Sequence, residues 1–237
     1  MTTIRVVAET GSTNADLLAL AGAGLASEGL WLRAERQTAG RGRLGRPWVS
    51  PAGNCYASTV VCLRPTDPPA STLAFVAAVA LDEAVRVYLP DARGLALKWP
   101  NDLLLAGAKL SGMLLERAGS TVVIGIGVNL AHHPDLPDRR TTSLSAHSAH
   151  VGPDGFLETL AEAFARWLGR WRGEGLGPVR QRWLDRAHPL GTALTARLPD
   201  GEGITGLFDG LDHDGALLLR LADGTRHAMH AGDVLLA

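Results

Sequence analysis

The sequence predicts an α+β fold, a mixed β-sheet with packed helices followed by a small all-β unit. Three observations carry this expectation. Short apolar, β-branched runs alternate with segments of helical period over the first 187 residues. From Leu190 the texture changes to short strand candidates separated by turn clusters. A length of 237 residues, 46% hydrophobic and 20% charged, suits one large domain with a small appendage. The expected division is 1–187 and 188–237.

The elements follow in order. Residues 4–8 form a short apolar strand. Glu9 to Asn14 then leads into a helix over 15–21, whose start is supplied with capping hydroxyls. Ser12 and Thr13 have two readings that can both hold at a helix N-terminus: N-cap, or hydroxyl and amide groups facing a ligand. Leu30 to Glu35 reads as a strand entering a glycine-rich loop, and Cys55 to Leu63 as a strand leaving it. Asp67-Pro68-Pro69 is a break. Residues 71–89 carry Leu73, Val76, Ala80, Ala84 and Val87 on a helical period, read as core packing.

A strand from Leu95 ends in Lys98-Trp99-Pro100-Asn101-Asp102, and a turn at Ala106-Gly107 returns the chain as Lys109 to Glu116. Lysines on both arms, with Asn and Asp between them, would place cations, an acid and amide donors at one end of a sheet. Thr121 to Leu130 is a buried strand whose glycines imply close approach of a ligand or another backbone. Residues 131–153 are polar and loop-like, and their four histidines match no zinc spacing. Gly155 to Arg172 is an amphipathic helix lined by core aromatics, broken over 173–178, with a shorter helix running to about Ala187. Pro199-Asp200-Gly201, Asp212-His213-Asp214-Gly215 and Ala222-Asp223-Gly224 then punctuate some five short strands.

Composition excludes several classes. The net charge of −1 gives no global attraction to nucleic acid or membrane, yet residues 33–46 hold five arginines against one glutamate. Positive charge confined in this way suits a small anionic ligand. Residues 1–9 hold no long apolar run, and no window approaches the roughly 18 apolar residues of a membrane span. The two cysteines, Cys55 and Cys62, lie seven apart on one strand and point to opposite faces, so they cannot pair within it. A reducing, cytoplasmic setting is expected.

The chain is organised around Gln37-Thr38-Ala39-Gly40-Arg41-Gly42-Arg43-Leu44-Gly45-Arg46-Pro47-Trp48. Arginine offers a permanently charged planar fork suited to phosphate or carboxylate, and glycine admits close backbone approach. Trp48 supplies a flat apolar face for stacking. Gly40, Gly42 and Gly45 formally spell G-x-G-x-x-G. The dinucleotide reading fails, because Pro47 and Pro51 deny the helix that must open behind that motif. No Gly-Lys-Ser/Thr closes a phosphate loop either. A nucleic-acid-binding module is disfavoured by the near-neutral charge and the lack of interleaved aromatics.

Gly-Ser-Thr-Asn at 11–14, the 37–48 loop, Lys-Trp-Pro-Asn-Asp at 98–102, Lys-Leu-Ser-Gly at 109–112 and Gly-Ile-Gly-Val-Asn-Leu at 125–130 together resemble biotin protein ligases. The resemblance covers essentially the whole chain. It implies a class II synthetase-like catalytic domain and an SH3-like C-terminal β-barrel. It also implies the substrates biotin and ATP with Mg2+, a biotinyl-5′-AMP intermediate, and transfer to a lysine of a carboxylase's biotin carboxyl carrier domain. By that likeness Lys109, Arg43 and Asp102 are the expected catalytic residues. Ser12, Thr13, Asn14, Gln37, Gly40, Arg41 and Gly42 are expected at the ligands, the first of these around the biotin ring. Arg46 joins the anion grip, and Trp48 covers adenine or closes the loop. Lys98 and Asn101 arrange the nucleotide and metal side, Gly112 allows close approach, and Asn129 contacts the adenine end. The resemblance leaves the metal ligands unassigned. The family motif begins at residue 11, so no DNA-operator binding is expected, and the protein is expected to be monomer or homodimer away from membranes. A lipoate or octanoate ligase of the same fold is the nearest rival.

Overall fold

The computed structural model describes residues 2–197, 203–230 and 232–236. Seven strands build the first sheet: β1 (Thr3–Thr10), β2 (Leu30–Gln37), β3 (Cys55–Cys62), β4 (Leu95–Lys98), β5 (Asp102–Leu105), β6 (Ala108–Ala118) and β7 (Thr121–Val128). Their order is β1-β2-β3-β7-β6-β5-β4. Only the β1–β2 pair is parallel, and it is joined through helix α1 (Thr13–Gly22); the other pairs are antiparallel. The β5–β6 hairpin turns on Ala106 and Gly107, both at positive φ, as a tight primed turn requires. Cys55 is buried and Cys62 half-buried, and both are free thiols.

Helix α2 (Leu73–Tyr88) is nearly apolar all round, because it lies between the sheet and helix α3 (Pro153–Glu174). Pro153 opens α3, where its missing N–H costs nothing. The aromatics of α3 are core, as their period implied. Phe164 meets Trp31 of β2 edge-on at 5.6 Å, and Trp171 Nε1 donates to Thr72 Oγ1 at 2.8 Å. The break after α3 is tighter than the Gly/Pro content of 173–178 suggested. It is confined to Gly175 at φ 79°, and helix α4 (Leu176–Leu184) resumes at once. Pro178 falls in its first turn, where proline is tolerated.

The C-terminal strands β8 (Ala193–Arg197), β9 (Gly203–Leu211), β10 (Leu217–Arg220), β11 (Arg226–Met229) and β12 (Asp233–Leu236) form a second, antiparallel sheet in the order β11-β10-β9-β8-β12. The Asp212 and Asp223 turns form as their sequences imply, each carboxylate accepting a backbone N–H two residues on. The Pro199-Asp200-Gly201 turn lies outside the described residues. The two sheets share one apolar core, since Trp183 of α4 packs between Phe75 of α2 and Phe208 of β9. Among the described residues no helix is long and apolar enough to cross a membrane.

Candidate active site

The N-terminus of α1 and the end of β2 meet in a buried polar network. Ser12 caps the helix, its Oγ accepting from the Ala15 amide at 3.5 Å. The Thr13 amide donates to Gln37 Oε1 at 2.9 Å, and Thr13 Oγ1 lies 3.1 Å from the same oxygen and 2.7 Å from Ser58 Oγ. Ser58 donates to Asn14 Oδ1 at 2.6 Å, and Asn14 Nδ2 donates to Glu116 Oε2 at 2.8 Å. Helix start, β2, β3 and β6 are thus tied at one place by groups that carry no positive charge. The network has little room to spare. A Cβ on Gly125 of β7 would stand 2.3 Å from Asn14 Oδ1.

The arginine loop closes on itself and lies back over the sheet. Trp48 N donates to Gly40 O at 2.9 Å, Gly42 N to Arg46 O at 2.8 Å, and Arg41 and Pro47 form an isolated bridge. Gly40 has to be glycine, because a Cβ there would meet Trp48 O at 2.7 Å and Ser50 Oγ at 2.8 Å. The Trp48 indole rests on the glycines of β6 and β7. Any Cβ on Gly127 would lie 2.6 Å from its Cε2, and one on Gly112 would lie 3.2 Å from its Cζ3. What comes close to the β7 glycines is therefore a side chain, where a ligand or a backbone was expected: the Trp48 ring at Gly127 and the Asn14 amide at Gly125. Arg43 Nη1 donates to Asn101 Oδ1 at 3.4 Å and to the carbonyl of Gly232, just before β12, at 3.1 Å.

Beside this ring sits a cluster of three charges. Lys109 Nζ is 2.5 Å from Asp102 Oδ1, and Lys98 Nζ is 3.3 Å from Asp102 Oδ2. Burial alone would push the Asp102 carboxyl up, but the two ammonium groups hold it below the usual carboxylate range. Lys109 Nζ also stands 5.6 Å from the centre of the Trp48 ring, within cation–π range. The turn carrying the cluster is fixed from both sides. Asn101 Nδ2 donates to Met113 O at 2.6 Å, and Trp99 Nε1 donates to the Gly215 carbonyl at 3.2 Å.

The structure gathers most of the predicted residues and disperses a few. Lys98, Asn101, Asp102, Lys109, Gly112, Arg43 and Trp48 converge, as do Ser12, Thr13, Asn14, Gln37 and Gly40. Arg41 and Arg46 are exposed, and Arg46 lies near enough to Asp138 to help hold that carboxyl low, after its closer partner Arg139. Asn129 is buried with Nδ2 donating to Thr142 O, which anchors the 131–149 segment beside Lys109. The local excess of arginine is smaller than the count implied. Arg33 is buried against Asp154 at 2.8 Å, and Arg36 pairs with Glu9 at 3.7 Å. Ser58 and Glu116 were missed. Their available signal was a hydroxyl inside an apolar strand and a carboxylate directly after the apolar run Met113-Leu114-Leu115.

The Biotin/lipoate A/B protein ligase family model matches residues 13–129, and that of the Biotin protein ligase C terminal domain matches residues 190–236. A biotin–[acetyl-CoA-carboxylase] ligase of Paracoccus denitrificans is 46% identical over 242 residues, covering 97% of this chain and 98% of that one. The fold is that of the biotin protein ligase from Aquifex aeolicus in complex with biotin and ATP, with a TM-score of 0.86, 24% identity and all of both chains covered. The Leishmania major biotin protein ligase in complex with biotinyl-5-AMP superposes with a TM-score of 0.70 at 27% identity, over 97% of this chain and 99% of that one. None of the three is named for lipoate or octanoate, so that rival is not favoured. With the motifs, the fold and the relatives in agreement over almost its full length, the chain belongs to the biotin protein ligases.

Proposed function

We propose that this protein ligates biotin to a lysine of a carboxylase carrier domain through biotinyl-5′-AMP. The observation that carries the reading is the Lys98–Asp102–Lys109 cluster beside Trp48 and the arginine loop. In the first step a biotin carboxylate oxygen attacks the α-phosphorus of ATP, and pyrophosphate leaves. Two anions must meet, so neutralisation and fixed orientation supply most of the rate. Lys109 stands nearest the reacting centre in this reading, Lys98 serves the phosphates, and Arg43 with Arg41 and Arg46 closes over them. Trp48 offers its ring to the adenine. In the second step the acceptor lysine's amine attacks the acyl carbon, AMP leaves, and the amine gives up a proton as the amide forms.

Ser12, Thr13 and Gln37, with the backbone around Gly40 and Arg41, hold the biotin ring in this reading, Asn14 stands behind them with its amide bonded to Ser58 and Glu116, and Asn129 supports the adenine side through the 131–149 segment. Mg2+ does not fit as a protein-held ion. The carboxylate of the cluster already engages a lysine on each oxygen, and the described residues contain no group of three or more His, Cys, Asp or Glu able to bind a metal. The ion is therefore part of the ATP substrate. For the same reason Asp102 can draw in the acceptor lysine only if Lys98 or Lys109 first leaves it. We assign residues 1–187 to the biotin- and ATP-binding unit and 188–237 to the smaller β unit, supported by the separate sheets.

ATP–pyrophosphate exchange measured with biotin and with lipoate separately tests the reading. Biotin-dependent exchange is expected, with Lys109→Ala abolishing it while the protein remains folded. Exchange with lipoate and none with biotin would overturn the assignment.

A further inference from the structure

The polar network at the start of α1 has a direction, and Glu116 sets it. Asn14 Nδ2 donates to Glu116 Oε2 at 2.8 Å and to the Leu114 carbonyl at 3.4 Å. Both partners accept only, so the amide nitrogen faces β6 and the amide oxygen faces Ser58. Ser58 Oγ gives its hydrogen to that oxygen at 2.6 Å. A hydroxyl has one hydrogen, so the 2.7 Å contact between Ser58 and Thr13 uses the hydrogen of Thr13. Nothing is then left for Gln37 Oε1, 3.1 Å from Thr13 Oγ1. The Gln37 amide cannot turn round to help. Its oxygen receives the Thr13 N–H at 2.9 Å and its Nε2 donates to Ser50 Oγ at 3.2 Å, while Ser50 itself donates to Trp48 O. Thr13 Oγ1 and Gln37 Oε1 therefore meet as two acceptors, with no hydroxyl hydrogen of the protein left to lie between them.

We infer that Glu116 is a positioning residue for the biotin ring. By fixing the Asn14 amide it sets the direction of the hydroxyl chain, so that Thr13 Oγ1 and Gln37 Oε1 receive a ureido N–H of the ligand. This rests on the biotin reading above. A ring urea brings two N–H donors, and one of them entering between the two oxygens relieves their repulsion. A ring oxygen in the same place meets only lone pairs. Were Asn14 to reverse, Ser58 would donate to Thr13 and Thr13 to Gln37, and the preference for N–H would fade. Glu116 thus acts on which ligand is chosen without touching it.

The test titrates the full-length protein, without ATP, with biotin and with cyclic carbamate analogues in which either ring N–H is replaced by oxygen. Wild type should prefer biotin to one of these analogues by roughly 100-fold or more, because a buried acceptor pair left unmatched is costly. That ratio should fall about tenfold in Glu116→Ala and again in Ser58→Ala, which cuts the chain on a different strand. Glu116→Gln retains an acceptor oxygen and should return the ratio to within about threefold of wild type. A loss of packing weakens all ligands alike. Unchanged ratios in both alanine variants overturn the inference, as does a glutamine variant indistinguishable from alanine. Wild-type protein that binds no biotin refutes the underlying function instead.

Discussion

Replacing Asp102 by asparagine removes one negative charge from between two ammonium groups and leaves the shape almost unchanged. The contacts at 2.5 and 3.3 Å each represent an attraction of about 5–7 kcal/mol at an effective dielectric of about 20. Burying the three groups cancels much of this, so the gross figures are not the outcome. What survives on deleting one partner of a buried pair is about 3–5 kcal/mol. In a protein of this size that lowers Tm by roughly 6–20 °C. Calorimetry of ligand-free Asp102→Asn at neutral pH measures it directly.

The pH dependence has a definite sign. The folded Asp102 carboxyl titrates below its ordinary value, so its stabilisation is present above that value, about 3.9, and is lost as pH falls through the folded pKa. The gap between wild type and Asp102→Asn should therefore hold at pH 5–7 and narrow only in stronger acid. Adding Lys98→Met should recover part of the loss by removing one of the two stranded cations. A Tm within about 2 °C of wild type at neutral pH would refute the reasoning, because the cluster would then carry no net stabilisation.

Other expectations follow from the same geometry. Gly127→Val places a Cβ 2.6 Å from the Trp48 ring and must displace the indole, so the KM for ATP should rise about tenfold in steady-state assays. Arg43→Gly loses the contacts to Asn101 and Gly232 and should release adenylate early, visible as biotin on lysines of unrelated proteins. Burial first, and the charge of Lys98 second, hold the His188 imidazole below its usual pKa. The neutral ring contributes its stability fully above about pH 6.5 and loses it as pH falls through the folded value, so His188→Gln should flatten unfolding free energy against pH below 6.5.

Much of this architecture was legible because its signals are local. Helical period marked α2 and α3, and the Ala106-Gly107 turn between two apolar runs marked the hairpin that brings Lys109 back towards Asp102. What escaped was pairing across distance. Ser58 and Glu116 lie on separate strands, and neither has a local pattern that names the other. Arg33 and Arg36 counted towards a basic patch until tertiary contacts gave them Asp154 and Glu9. The 125–130 glycines announced that something comes close, but Trp48 is 79 residues away from Gly127 and no spacing rule connects them.

The Trp99 hydrogen bond to Gly215 sets an order of events during synthesis. The indole N–H sits on the turn that carries Lys98 and Asp102, and its acceptor lies 116 residues downstream. Chains leave the ribosome N-terminus first. A nascent polypeptide can therefore complete its larger sheet and still lack the carbonyl that seats this turn. The turn that carries Lys98 and Asp102 is seated only after the segment between β9 and β10 has been made.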